Sequence, residues 1–192
     1  YNTLEYVSIL SQSPERAKHI PDIVQNLSSI FRFSIRPGET FIPLETEIAF
    51  VEKYLQIHQY RYGDRMKYGI EVPEMLRYAA VPKLILQPLV ENAVIHGIDR
   101  LPGGGRVNVR VYEENYRMVI EIENDAEPPS RKAQPDERRR AGLGSGIENV
   151  NKRIRLHFGN VYGAVMHRKE DSVLVRVTLP IEPWNRGVEQ CG

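Results

Sequence analysis

The sequence has one cysteine, Cys191, close to its last residue, so no disulfide within the chain can hold the fold together. It also lacks any apolar run near the roughly 18 residues of a membrane-spanning helix, and its first residues do not have the pattern of a signal peptide. No excess of one charge is present, because 26 Lys and Arg balance 25 Asp and Glu. This balance gives no general attraction to nucleic acids, and we expect no nucleic-acid partner.

What is present is the composition of a globular domain: 192 residues, 41% hydrophobic and 27% charged. That length suits one large domain, or one domain with a short extension. The chain begins at Tyr1, in the middle of a predicted helix, so we interpret it as a piece of a longer protein.

Helical spacing of apolar residues dominates the first third of the chain. It predicts helices over 1–12, 15–33 and 44–61, with a break at Pro14. The first two would form a helical hairpin that ends at 36–38. A hairpin with a single apolar stripe needs a partner, and two such hairpins make a four-helix bundle.

From about residue 65 the pattern changes to alternating strands and further helices. We predict a helix that Pro82 opens and that runs to His96, because proline is favoured at a first helical position. The glycines near 142–146 would precede another helix, which ends near Phe158. These elements together predict an α+β sandwich, a mixed sheet covered on one face by helices. The predicted strands and loops are 68–72, 107–111, a turn near Asn115, 118–122, a long loop over 126–143, 161–168 and 173–179.

Three short segments carry chemistry. In 86–97, Asn92 lies within an apolar helix, where it is either a satisfied core amide or a ligand for Mg²⁺, which prefers oxygen donors. The segment 122–126 is, on its own, a strand that ends in a turn. The glycine-rich segment 142–147 precedes a helix, whose first amides can bind phosphate. It has neither the P-loop spacing nor a strand directly before it, as the dinucleotide fingerprint requires.

The order of these segments resembles the GHKL (Bergerat-type) ATP-binding superfamily, which has an N-box helix, a polar adenine-contacting residue, a loose lid and a glycine-rich helix start. Within it, the sequence is similar to sensor histidine kinases whose acceptor segment is P-H-F-L-Y-N-T-L-E. The implied fold is a GHKL α/β sandwich with a mixed sheet, preceded by a helical hairpin. The matching residues are Tyr1 to Glu5, Leu44-Glu45, Glu52 to Leu55, Arg61-Tyr62, Gln87 to Ala93, His96-Gly97, Asn149-Val150 and Arg153-Ile154.

The resemblance implies a site for ATP and Mg²⁺. It makes Asn92 the magnesium ligand and gives the adjacent Glu91 either a catalytic role or that of a surface carboxylate. Asn124 takes the place of the Asp that contacts the adenine amino group, and Asp125 does so if the strand register shifts by one. Arg153 would stabilise phosphate charge or form a structural ion pair. The other nucleotide-binding residues implied are His96, Gly142, Gly144, Gly146 and Ile147.

One departure from the family concerns nucleotide binding. The usual D-x-G-x-G is Asn124 to Pro128 here, which lacks the carboxylate and both glycines. A degenerate nucleotide-binding or partner-binding module is therefore the alternative to a kinase. A chaperone-type or repair-type GHKL ATPase is disfavoured, because Pro88 stands where those enzymes carry a water-activating carboxylate.

The resemblance also implies the organisation of the parent protein. The acceptor histidine would lie just before Tyr1, so this chain would not phosphorylate itself, and Asn2, one helical turn later, would serve a phosphatase step. The implied partners are a response regulator receiver domain and a second copy bound through the hairpin. The chain would be the cytoplasmic portion of a membrane-anchored sensor. The implied segments are a truncated hairpin (1–40), a connecting helix (41–62), an ATP-binding catalytic domain (63–184) and a tail (185–192).

Overall fold

The computed structural model describes residues 18–35, 40–128 and 143–185. The predicted helix over 1–12, Asn2, Gly142 and most of the predicted loop 126–143 lie outside these ranges. Within the described ranges, no helix combines the length and the apolar character needed to cross a membrane.

The described part of the chain contains four α-helices and seven strands, besides three short 3-10 helices. The helices are α1 (Ile20–Ile35), α2 (Leu44–Tyr62), α3 (Gln87–His96) and α4 (Leu143–Phe158). The strands are β1 (Phe41–Pro43), β2 (Met66–Glu71), β3 (Ala80–Pro82), β4 (Gly105–Glu114), β5 (Arg117–Asp125), β6 (Gly163–Arg168) and β7 (Ser172–Pro180).

Five strands form one mixed sheet in the order β2-β4-β5-β7-β6. Only the β2–β4 pair is parallel, and the other three pairs are antiparallel. The β4–β5 hairpin turns at Asn115 and Tyr116, whose φ angles of 52° and 61° are typical of tight hairpin turns. This confirms the turn predicted near Asn115.

The alternation of side chains divides the sheet into a covered and an open face. Val109 pairs with Ile122, which pairs with Val175, and all three are buried beneath the helices. Helices α2, α3 and α4 contact β2, β5 and the β6–β7 edge, respectively. The open face carries charged pairs such as Arg110 with Glu71, with an N–O distance of 3.0 Å. The predicted α+β sandwich with a mixed sheet is confirmed.

Helix α1 packs against α2 through a small second core. Ile23 and Ile30 of α1 and Ile57 of α2 are its buried members. Phe33 stacks on Phe50 with ring centroids 3.7 Å apart. The helical segment is therefore joined to the sandwich by the continuous helix α2.

Two predicted helix starts are wrong. Pro82 does not open a helix, since it is the last residue of β3, which pairs with β1 in a separate two-stranded sheet. The helix begins at Gln87, with Pro88 in its first turn. Gly144 and Gly146 do not precede α4 but lie in its first turns.

Candidate functional site

Helix α3 is set in place by a tight turn, Lys83 to Leu86, that follows β3. Leu84 has a φ of 61°, a left-handed conformation that a residue with a side chain adopts at a cost. The Glu47 carboxylate of α2 accepts hydrogen bonds from the Leu84 amide at 2.5 Å and the Leu86 amide at 3.0 Å. Glu47 is only 2% exposed. Burial raises the pKa of this carboxyl group, and the backbone donors oppose the rise.

Helix α4 holds the same turn from another side. Arg153 Nη1 donates hydrogen bonds to the carbonyl oxygens of Lys83 and, at 3.3 Å, Leu84. Its positive charge also acts to lower the pKa of Glu47. Of the two roles expected for Arg153, phosphate contact and a structural ion pair, the hydrogen bonds support neither directly. They give this side chain backbone partners instead.

Asn92 lies in the middle of α3, under the first turns of α4. Its Nδ2 is buried and has no hydrogen-bond partner among the described residues. A Cβ built on Gly146 would lie 2.6 Å from this Nδ2, closer than real Cβ atoms approach. The helix start therefore passes directly over the amide because residue 146 has no side chain. Two of the three segments singled out in the sequence thus meet here.

Asn124 lies near the end of β5, on the helix-covered face of the sheet. It is 5% exposed, and its Nδ2 donates a hydrogen bond to the Asp125 carbonyl at 2.8 Å. Gly97, directly after α3, leaves no room for a Cβ, which would collide with Asn124 Nδ2 and lie 2.8 Å from Asp125 O. The third segment therefore meets the C-terminal end of the same helix.

Asp125 lies on the opposite face, as the alternation of a strand requires. Its Oδ2 accepts a hydrogen bond from the Arg106 amide at 2.8 Å. It lines a polar cavity of about 620 Å³ on the open face, where Lys67, Glu123 and Lys169 are also found. The structure therefore separates Asp125 from Asn92 and Gly146.

Glu91 and His96 flank Asn92 along α3. Glu91 Oε1 accepts a hydrogen bond from Gln87 Nε2 at 2.8 Å, and its charge adds to the burial that raises the pKa of Tyr54. His96 Nδ1 lies 3.3 Å from Arg100 Nη2. Burial and then the Arg100 charge lower the pKa of His96, which favours the neutral form of its imidazole. Ile147 is half-buried against the core, one residue after Gly146.

Within the described ranges, Asn92 is the candidate protein ligand for a metal ion at this site. The described ranges contain no group of three or more His, Cys, Asp or Glu side chains that could hold a metal. A single protein amide combined with the oxygens of a bound phosphate is a donor set that Mg²⁺ accepts. Asn92 Oδ1 is the atom that could join such a donor set, whereas the unpartnered Nδ2 is a hydrogen-bond donor that suits a phosphate oxygen.

Sequence reasoning did not identify Glu47. A signal was present, because Glu47 falls at helical spacing between Leu44 and Val51, on the stripe that α2 buries. A carboxylate at such a position needs hydrogen-bond donors nearby. Its donors come from residues 84 and 86, which the sequence pattern gave no reason to place beside α2.

The chain is similar to proteins of one class. A family model described as histidine kinase matches residues 1–66. The chain is 32% identical over 188 residues to the sensor histidine kinase BtsS of Escherichia coli K12, covering 96% of this chain and 31% of that protein. It is 27% identical over 181 residues to the sensor histidine kinase YesM of Bacillus subtilis, covering 94% of this chain and 31% of that protein.

Solved structures of low sequence identity share the fold. The catalytic domain of histidine kinase ThkA, in a nucleotide-free form, aligns with a TM-score of 0.54 at 13% identity over 76% of this chain and 98% of that chain. The histidine kinase domain of an Erythrobacter litoralis blue-light activated kinase aligns with a TM-score of 0.53 at 14% identity over 92% and 85%. ThkA in complex with the response regulator TrrA aligns with a TM-score of 0.52 at 16% identity over 94% and 57%.

The mixed sheet under three helices is therefore the GHKL fold of histidine kinase catalytic domains. The chain belongs to the sensor histidine kinases. It spans 31% of the length of the curated relatives BtsS and YesM.

Proposed function

We propose that this chain is the ATP-binding part of a sensor histidine kinase. Its parent protein transfers the γ-phosphoryl group of ATP to a histidine, and then to an aspartate of a response regulator receiver domain. The observation that supports this most directly is the buried Nδ2 of Asn92 beneath Gly146, at the start of α4: it is a donor without a partner among the described residues, and a phosphate oxygen would accept from it.

The phosphate end of the nucleotide would lie at this junction. The first amides of a helix have no partners within it and favour negative charge, and Gly144 and Gly146 leave the start of α4 open to close approach. Asn92 would hold Mg²⁺, which when bound neutralises phosphate charge during transfer. Glu91 and Ile147 adjoin these residues, and Glu91 would act in catalysis from a position fixed by Gln87.

The adenine end would lie at Asn124. Because its Nδ2 donates to the Asp125 carbonyl, its Oδ1 remains as an acceptor. An acceptor is what the adenine amino group requires. His96, near the C-terminal end of α3, would line the same side of the site. Asn124 is favoured over Asp125 because only Asn124 lies on the helix-covered face.

The remaining proposals concern the parent protein. Its partners would be a receiver domain and a second copy joined through the helical hairpin of 1–40, with Asn2 serving dephosphorylation of the regulator. The similarity to sensor kinases suggests a membrane-anchored parent whose cytoplasmic portion includes the catalytic domain. A receiver-domain partner gains support from the ThkA–TrrA complex, in which a similar fold is bound to a response regulator.

Calorimetric titration with Mg²⁺ and a non-hydrolysable ATP analogue tests the nucleotide site. We expect binding by the wild-type chain and its loss in Asn92→Ala, because that substitution removes the amide. Asn108→Ala, on the exposed face of β4, is the matched control and should bind normally. A wild-type chain that binds no nucleotide would favour the alternative, a partner-binding module.

A phosphorylation assay tests the transfer. With radiolabelled ATP, the 192-residue chain should stay unlabelled, whereas a version extended upstream to include an acceptor histidine should be labelled. Stable label on the 192-residue chain would contradict the proposed site of transfer.

A further inference from the structure

The turn that precedes α3 is held by two side chains from two different helices. Glu47 of α2 binds the amides of Leu84 and Leu86, and Arg153 of α4 binds the carbonyls of Lys83 and Leu84. Donors and acceptors of one short backbone segment are thus bound by side chains of two helices. The left-handed φ of Leu84 is a conformation that such surrounding contacts are needed to hold.

Glu47 occupies a position where packing alone would favour an apolar residue. It is 2% exposed, on the stripe that also buries Leu44 and Val51. Burying a carboxylate is unfavourable unless hydrogen bonds compensate for its lost hydration. Here the compensation comes from backbone amides of the turn, so the position of the turn is tied to that of α2.

Arg153 ties the same turn to the helix that covers Asn92. Gly146 and Arg153 both belong to α4 and lie about two turns apart, on one side of the helix. Gly146 contacts the Asn92 amide, while Arg153 holds the turn from which the helix of Asn92 starts. A shift of the turn would therefore change the approach of Asn92 to Gly146.

We propose that Glu47 and Arg153 are positioning residues that clamp the 83–86 turn and so hold Asn92 against the start of α4. Glu47 is the link from α2, and Arg153 is the link from α4. The consequence for nucleotide binding rests on the proposed function of Asn92, but the clamp itself does not.

Hydrogen exchange and side-chain NMR of the full 192-residue chain, without nucleotide, test the clamp. Glu47→Gln keeps the volume of the side chain but replaces one acceptor oxygen by a donor. We expect the Leu84 and Leu86 amides to exchange about tenfold faster, as loss of one hydrogen bond predicts. We also expect the Asn92 side-chain amide resonance to shift. Glu45→Gln, an exposed change on the same helix, should leave both readouts as in wild type.

Arg153→Gln repeats the test from α4 and serves if Glu47→Gln does not fold, because Arg153 is exposed. It should shift the Asn92 resonance, while Arg155→Gln, exposed on the same helix, should not. Faster exchange of the β4–β5 amides by the same factor as Leu84 and Leu86 would mean a general loss of stability and would overturn the proposal. An Asn92 resonance that stays unchanged in both variants would also overturn it.

Nucleotide titration then separates the clamp from the proposed function. If the wild-type chain binds Mg-ATP, Glu47→Gln and Arg153→Gln should each weaken binding about tenfold, to the same extent as one lost hydrogen bond. Normal affinity together with faster Leu84 exchange would overturn the link from the clamp to Asn92. A wild-type chain without nucleotide affinity would contradict the proposed function, while the exchange and resonance data would still decide the clamp.

Discussion

At the scale of single residues, Asn92 has two properties that lower the stability of the ligand-free chain, although its side chain would serve nucleotide binding. Its buried Nδ2 lacks a partner among the described residues, which costs free energy in the ligand-free chain. It also lies inside a helix, where Asn is less favourable than Ala. A residue that carries both of these stability costs is expected at a position where its side chain binds a ligand.

Asn92→Ala should therefore stabilise the ligand-free chain while abolishing nucleotide binding. We expect the free energy of unfolding to rise by about 1–2 kcal/mol, from removal of the unpartnered amide and better helix propensity. Urea unfolding measures this. Asn149→Ala, exposed in α4, controls for propensity alone and should gain only about 0.5 kcal/mol. Equal gains in the two variants would show that the buried amide is not destabilising.

Asn124 gives a prediction about base selectivity. An Asn can present either an acceptor or a donor, so its sequence position alone suggests weaker discrimination between ATP and GTP than an Asp would give. In the structure, Nδ2 is committed to the Asp125 carbonyl, which favours the orientation with Oδ1 as acceptor. We therefore expect wild type to prefer ATP by about tenfold, a preference that Asn124→Ala should lose. Affinities for both nucleotides measure it, and an unchanged ratio in Asn124→Ala would exclude Asn124 as the selecting residue.

At the scale of elements, the end of α3 and the end of β5 approach each other through Gly97. Its φ of −100° is not left-handed, and the lack of space for a Cβ is what requires glycine here. Around Gly97, the nearest atoms to an added Cβ belong to Ala93, Asn124 and Asp125. The contact fixes how far Asn124 stands from the helix that carries Asn92.

Gly97→Ala should destabilise the chain by about 1–3 kcal/mol, as overpacking of a close contact does. Gly103→Ala is the matched control, because nothing lies within 4 Å of a Cβ at that position. Thermal unfolding of both variants measures the difference. If Gly97→Ala unfolds at the temperature of wild type, the ends of α3 and β5 are less tightly packed than described.

The long periodic elements could be predicted from sequence, whereas the contacts between them could not. The β4–β5 hairpin follows from alternating apolar residues and from a turn at Asn115. Pro82 misled the prediction because proline also ends short strands, and β3 has three residues, too few to show any period. The order of the three segments along the sequence was enough to predict that Asn92, Asn124 and Gly146 belong to one nucleotide site. The paired strands place Asn124 on the covered face and Asp125 on the open face, and the adenine contact of Asn124 stays a prediction.

At the scale of the whole molecule, acid should weaken the fold through His58. This imidazole packs against the rings of Tyr54 and Tyr62, and its Nδ1 is buried without a partner among the described residues. Burial, with the Arg61 charge, lowers the pKa of His58 from 6.5 to about 4. His58 therefore takes up a proton near pH 6.5 in the unfolded chain, but only near pH 4 in the folded chain. The stability contributed by the neutral imidazole is present above pH 6.5 and is lost as the pH falls through this window.

His58→Phe keeps an aromatic ring and removes the titration. Between pH 7 and pH 4, wild type should lose up to about 3 kcal/mol more stability than His58→Phe, the amount that this pKa difference corresponds to. Urea unfolding across that pH range measures it. His167→Phe, a change at an exposed position of β6, should follow the wild-type profile. If the free energy of unfolding changes with pH in the same way in wild type and His58→Phe, then His58 has the same pKa in the folded and unfolded chains.

The single parallel pair of the sheet bears on the order in which the chain folds. β2 and β4 are neighbours in space but are separated by residues 72–104, and α3 lies within that connection. Closing so long a loop is slow compared with forming the β4–β5 hairpin, whose strands are adjacent in sequence. The hairpin is thus expected to form early, and the helix that carries Asn92 to dock only when the crossover closes. A nucleotide that needs Asn92 would then bind only after this crossover has closed, so nucleotide binding during refolding would follow the docking of α3.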